Sequence, residues 1–199
     1  MRNPFRASAL VFFLVLATAC GGDAHYDAQA PKVPFVSQIS PDGADQFYDG
    51  TMNCGPAVLA GIAKAHGETG GLRDADLINL LAEVAGTTEV GTTGNGMIAG
   101  LDFLGLESSA SKGADLEWID NELAAGHDVI ALGDYYAIPG REQPGRHSSH
   151  FIAVMAARDG WSTYDVMDPM DKSVTSLKDD ELENYIVSQD AGGFTMSAW

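Results

Sequence analysis

Cysteine is scarce in this chain: there are two, Cys20 and Cys54, among 199 residues. A fold stapled by several disulfides is therefore excluded. Basic residues are also few. Lys and Arg together number 11 against 28 Asp and Glu, for a formal charge of −17. Such an acidic surface argues against nucleic acid or an anionic membrane surface as a partner. Long apolar runs are missing too. The longest is Ala9–Leu16, too short to span a bilayer. "GTTGNG" (91–96) is not followed by the Lys-Ser/Thr pair of a phosphate-binding loop, so it reads as a helix entrance. No repeat or low-complexity segment is present, and nothing in the chain calls for a cofactor.

The amino-terminal residues read as an address and not as part of a fold. Arg2 and Arg6 precede the apolar run, and small residues Ala17-Thr18-Ala19 lead to Cys20, the layout of a secretory signal. "LATAC" resembles a bacterial lipobox, with Ala17 where such boxes favour leucine. That resemblance implies a signal over 1–19, a lipid on Cys20, and an exported protein held at the cell envelope by that lipid. Residues 20–32, small and polar, read as the anchor and tether, and 33–199 as one domain large enough for a sizeable core. A lipid on Cys20 leaves Cys54 as a lone thiol in an oxidising compartment. The alternatives are a free Cys20 or a Cys20–Cys54 disulfide.

Periodicity outlines the domain. "VPFV" (33–36) reads as a short strand. A helix is expected over 54–66, with Val58, Ile62 and Ala65 on one face, small residues Ala57, Ala60 and Gly61 allowing close approach, and Gly67 as the stop. Leu77, Leu80, Leu81 and Val84 mark a second helix capped by Asp74. Ile98, Leu101 and Leu104 mark a third, with a strand after it, and Leu116, Ile119 and Leu123 a fourth. Short alternating or apolar runs follow, with the Asp159–Gly160 pair as a hairpin turn. A late helix is expected after Ser176 as its cap, then a closing strand. Helices first and an antiparallel sheet after is an α+β plan with two lobes.

Within that plan Cys54 opens a helix. A free thiol titrates at about 8.5, and a helix amino terminus and an imidazolium both lower that value. Of five histidines, His25 lies in the tether, and His66 and His127 sit at ordinary surface places. His147 and His150 flank two serines ahead of an apolar strand. His150 opens that strand, and Asp168 ends the paired one, so the two strands bring carboxylate and imidazole together. His147, His150 and Asp168 do not make a convincing metal set, and Asp165, Asp168 and Asp171 lack the spacing of a calcium loop.

"VPFVSQ", then "NCGPA" opening a helix, then "HFIAVMA" and "DPM", resemble the papain-like cysteine peptidases of the bacteriocin (double-glycine) leader-processing family. The resemblance covers roughly 33–198. It implies a papain-like fold, an N-terminal helical lobe packed on a C-terminal antiparallel sheet. It implies Cys54 as nucleophile, His150 as base, Asp168 as the orienting carboxylate, and Gln38 as oxyanion donor. The partner it implies is a peptide or protein substrate. Leader-processing domains usually stand on transporters facing the cytoplasm, whereas this chain reads as exported, so a substrate outside the cytoplasm is expected. Two other readings use the same cleft: a peptide-binding module without turnover, and an acyl or peptidyl transferase using Cys54.

Overall fold

The computed structural model describes residues 33–39, 50–113, 115–158, 162–171, 173–188 and 193–199. The signal, Cys20, the tether with His25, and the Asp159–Gly160 turn lie outside these. Among the described residues no helix is long and apolar enough to cross a membrane.

Three helices come first: α1 (Cys54–His66), α2 (Asp74–Val84) and α3 (Gly94–Phe103). Helix α1 is rich in Ala and tolerates Pro56 because a first-turn residue needs no N–H partner. It ends where expected. Gly67 takes φ 77° and the Glu68 N–H reaches Ala63 O at 2.7 Å. Every residue from Cys54 to Ala63 is buried, so this helix is a core element. Gly61 lets it approach the start of the domain: a Cβ there would lie 2.8 Å from Val33 Cγ1 and 2.9 Å from Met167 Cε.

Strand β1 (Ser108–Lys112), helix α4 (Leu116–Ala124) and strands β2 (Asp128–Asp134), β3 (Ser149–Arg158), β4 (Thr163–Met167) and β5 (Thr175–Lys178) follow. Helix α5 (Asp179–Val187) and strand β6 (Phe194–Ala198) complete the chain. The six strands form one sheet in the order β1-β6-β2-β3-β4-β5, and every pairing is antiparallel.

Strand residues alternate between faces, and here both faces are covered. Ile130, Phe151, Ala153, Met155 and Met196 pack with α1, α2 and α3. Val129, Ala131, Ile152, Val154 and Val166 pack with Ile119 and Leu123 of α4 and Leu182, Tyr185 and Ile186 of α5. The α+β class therefore stands, with the helical layer on one face of the sheet and two further helices on the other.

Several local expectations differ. Val33–Val36 forms no strand; Pro34 has no N–H to donate, and Val33 and Val36 instead bury into the core beside α1. Asp74 lies inside α2 and makes no cap bond; it takes the Lys64 ammonium at 2.8 Å. Leu80 is half-buried and Ile78 takes the inner position. Ser176 belongs to β5, where its hydroxyl donates to Asp165 Oδ1 at 3.0 Å, and α5 starts after Lys178. His66 and His127 are more than surface residues. His66 Nε2 lies 2.6 Å from Asp128 Oδ2, and His127 pairs with Glu122 and stacks on Trp199.

Candidate active site

The first turn of α1 holds Cys54 with its helix end bare. Asn53 in the N-cap position makes no side-chain cap bond, and the first turn contains no acid. The partial positive charge of that terminus is thus left to act on the sulfur. Strand β3 crosses α1 so that its opening residues meet the same end. Cys54, His150 and Phe151, with Gln38, Thr51 and Met52, line one cleft of about 360 Å³.

Asp168 arrives by the hairpin of β3 and β4. Met167 pairs with Ala153, which leaves the next residue alongside the start of β3. His150 Nε2 lies 2.8 Å from Asp168 Oδ1, so Nδ1 is the ring nitrogen left for the sulfur. Asp168 also opens a turn, with the Asp171 N–H on its carbonyl at 3.0 Å. The turn role and the His150 contact coexist.

Asp168 is wholly buried but well supplied with donors. The Met170 N–H reaches Oδ1 at 2.8 Å and Arg141 Nη1 reaches Oδ2 at 2.6 Å. Arg141 Nη2 lies 2.5 Å from Asp171 Oδ1, and the guanidinium sits 4.7 Å over the Tyr135 ring. Tyr135 in turn meets His150 edge-on at 5.2 Å. The Tyr185 hydroxyl of α5 donates to the His150 carbonyl from behind.

The electrostatics are those of an ion pair. Burial works to raise the Cys54 thiol, but the hydrogen bond and charge of His150, with the Phe151 and Gly55 backbone, carry it below its ordinary value. Burial likewise works to lower His150, and the bonds to Asp168 and Cys54 lift it to about 9. Asp168 would be raised by its burial; His150, Arg141 and the Met170 N–H hold it below the usual carboxylate range instead. A thiolate beside an imidazolium, steadied by a carboxylate, can attack a carbonyl carbon and then protonate a leaving group.

Gln38 stands in the same cleft, 1 % exposed. Its amide Nε2 donates to Gly50 O at 2.9 Å and to Thr51 O at 3.3 Å. Turning the amide over would set Oε1 against two carbonyls, so the N–H₂ side is fixed where it is. The Pro169 carbonyl takes the Gln38 N–H at 2.9 Å, which joins this segment to the Asp168 turn. The structure thus brings Gln38, Cys54, His150 and Asp168 together. It sends His147 elsewhere: Nδ1 lies 2.6 Å from the buried Asp134 carboxylate. Among the described residues no group of three or more His, Cys, Asp and Glu is arranged to hold a metal.

Sequence reasoning missed Arg141 and Tyr135, and weighed Asp171 only as a calcium ligand. The one available signal was "GREQPGR", a loop with two arginines just ahead of the candidate base in a chain poor in basic residues.

The architecture is similar to that of several solved peptidase domains. The peptidase domain of Streptococcus ComA, a bi-functional ABC transporter involved in a quorum sensing pathway, superposes with TM-score 0.56 at 22% identity over 83% of this chain and 97% of its own. A Bacillus anthracis protein described as a C39-like peptidase gives 0.56 at 13% identity over 82% and 94%. A double glycine motif protease from an AMS/PCAT transporter, in complex with its leader peptide, gives 0.55 at 13% identity over 86% and 95%. No protein-family model and no curated protein matches the chain.

Proposed function

We propose that this protein is a cysteine peptidase that hydrolyses peptide bonds with Cys54, His150, Asp168 and Gln38. One observation carries the reading: a cleft-lining thiol at a bare helix terminus faces an imidazole whose far nitrogen is held by a buried carboxylate. Similarity of fold to a protease solved with its leader peptide supports a peptide as the substrate.

In this mechanism the Cys54 thiolate attacks the scissile carbonyl carbon, and the carbonyl electrons move onto oxygen. The Cys54 backbone N–H and the Gln38 amide stabilise that oxyanion. Both Gln38 protons are already donated, so one must be released. The 3.3 Å donation to Thr51 is the weaker, and a hydrogen bond to an anion is roughly twice as strong as a neutral one. The imidazolium of His150 protonates the leaving amine as the carbon–nitrogen bond breaks, which leaves a thioester on Cys54. His150 then takes a proton from water, and the hydroxide attack on the thioester releases the acid and restores the Cys54 thiolate beside the His150 imidazolium.

The experiment is digestion of a peptide library by the wild-type protein and by Cys54→Ala. New amino termini should arise with the first and not the second. Added amines should leave the products unchanged; conjugates would favour transfer, and an uncut library with slow alkylation of Cys54 would favour a binding module. The sequence further supports export with a lipid on Cys20. Cys20→Ser should release the protein from the membrane fraction, and retention there would refute the anchor.

A further inference from the structure

The segment between β2 and β3 meets the Cys54–His150–Asp168 row through Tyr135, whose ring abuts His150, and through Arg141, which pairs with Asp168. Three features of the Arg141 contact go beyond filling space. The guanidinium uses its two terminal nitrogens on two carboxylates, Nη1 on Asp168 and Nη2 on Asp171. Its plane rests over Tyr135, whose ring abuts His150. And it takes Oδ2 of Asp168, leaving Oδ1 to His150 and the Met170 N–H. A carboxylate held at both oxygens cannot turn about its own axis. A planar fork can hold Asp168 and Asp171 at once in fixed directions, whereas the single point charge of a lysine cannot.

We infer that Arg141 is a positioning residue for the reaction proposed above, bridging Asp168 and Asp171 so that Asp168 aims the imidazole of His150 at Cys54. The inference rests on that reading of Cys54 and His150. It gives Arg141 a second effect through charge. A cation on Oδ2 tempers the pull of Asp168 on the imidazolium, so His150 parts with its proton to the leaving amine more readily than it would beside a bare carboxylate. The charged and titratable groups facing this cluster are Cys54 from α1, Tyr135 and Arg141 from the segment between β2 and β3, Asp171 from the turn after β4, and Tyr185 from α5.

The segment does not depend on Arg141 to stay in place. Asp134, buried at the end of β2, takes the Tyr136 N–H at 3.1 Å and the Ser148 N–H at 2.9 Å, and lies 2.6 Å from His147 Nδ1. The Tyr135 N–H donates to Ser148 O at 2.8 Å. One carboxylate therefore closes both ends of the segment, and Ile138 anchors its middle in the core.

The test compares Arg141→Met, Arg141→Lys and Asp171→Asn by melting temperature, by kcat and KM on a library-derived peptide, and by the pH dependence of Cys54 alkylation. The upper step of that alkylation profile reports loss of the His150 proton. For Arg141→Met, kcat falls by about 10- to 100-fold with KM little changed, as misplaced catalytic groups do. Its upper alkylation step moves to higher pH by about one unit as the tempering cation is lost. Arg141→Lys keeps the step near the wild-type position but not the kcat. Asp171→Asn, which removes the more exposed leg of the bridge, lowers kcat by less than Arg141→Met does. The inference is overturned if Arg141→Met leaves kcat intact, or if kcat falls with the upper step unmoved, since a wall residue would do that. Full kcat in Arg141→Lys or in Asp171→Asn also overturns it. Alkylation needs no substrate, so a wild-type profile with an ordinary thiol refutes the ion pair itself and not the part of Arg141 in it.

Discussion

Replacing His150 by Ala isolates what the imidazole does for the sulfur. At about 4 Å and an effective dielectric of about 20, opposite unit charges attract by about 4 kcal/mol, which is about three pKa units. In His150→Ala this attraction is gone while the burial that raises Cys54 remains. The thiol should therefore titrate about three units higher. On the acid side of the wild-type thiol's own titration the thiolate fraction then drops by about 10³. A more basic thiolate is also a better nucleophile, with a Brønsted slope of about 0.4–0.5, which returns roughly 16- to 30-fold. Iodoacetamide alkylation of Cys54, read on its own peptide by mass spectrometry across a pH series, should slow by about 30- to 60-fold on the acid side of the wild-type titration step and recover at high pH. Asp168 keeps Arg141 as a partner in this variant, so the fold should survive. His147→Ala is the control, because that ring belongs to Asp134; its alkylation rate should stay within about twofold of wild type. An unchanged rate in His150→Ala, or equal slowing in both variants, would refute the ion pair.

Gln38→Ala should cut kcat by about 10²–10³, as loss of one oxyanion donor does, while Cys54 alkylates at close to the wild-type rate; parallel losses in both assays would mean a disturbed site instead. The pH profile of kcat/KM should fall on its basic side near pH 9, because His150 is needed protonated and its pKa is raised to about 9. The same raised value means that stability due to this proton is present below the unfolded histidine's pKa and is lost as pH rises through about 9, which a series of melts will detect. Gly133→Ala should lower Tm by about 2–10 °C through overpacking, since a Cβ there would press on Tyr185, including Cδ1 at 2.5 Å; an unshifted melt would show that α5 yields freely.

Local chemistry was legible wherever one element decides it. The small and apolar residues of 54–66 specify a buried helix and Gly67 its end, and both stand as read. The strand runs were equally plain, because a sheet covered on both faces makes its residues apolar at nearly every position, as along β3. Less legible was anything set by partners distant in sequence. That β6 slots between β1 and β2 leaves no local trace. Val33–Val36 carries a strand's composition but has Pro34 within it, and its burial is provided by α1. Ser176 and Asp74 have capping chemistry, yet each found a tertiary partner. In the cleft, the cysteine, histidine and aspartate could be foreseen, since a strand hairpin brings the latter two together. Arg141 could not, because its contact depends on the path of a loop with no periodicity.

The most direct test is to quench the wild-type protein in acid during turnover of a cleaved library peptide and map any adduct by mass spectrometry. A thioester on Cys54 carrying the acyl half of the cut peptide is the result this account requires. Cleavage that proceeds while Cys54 stays unmodified at every quench time, and continues in Cys54→Ala, would contradict it.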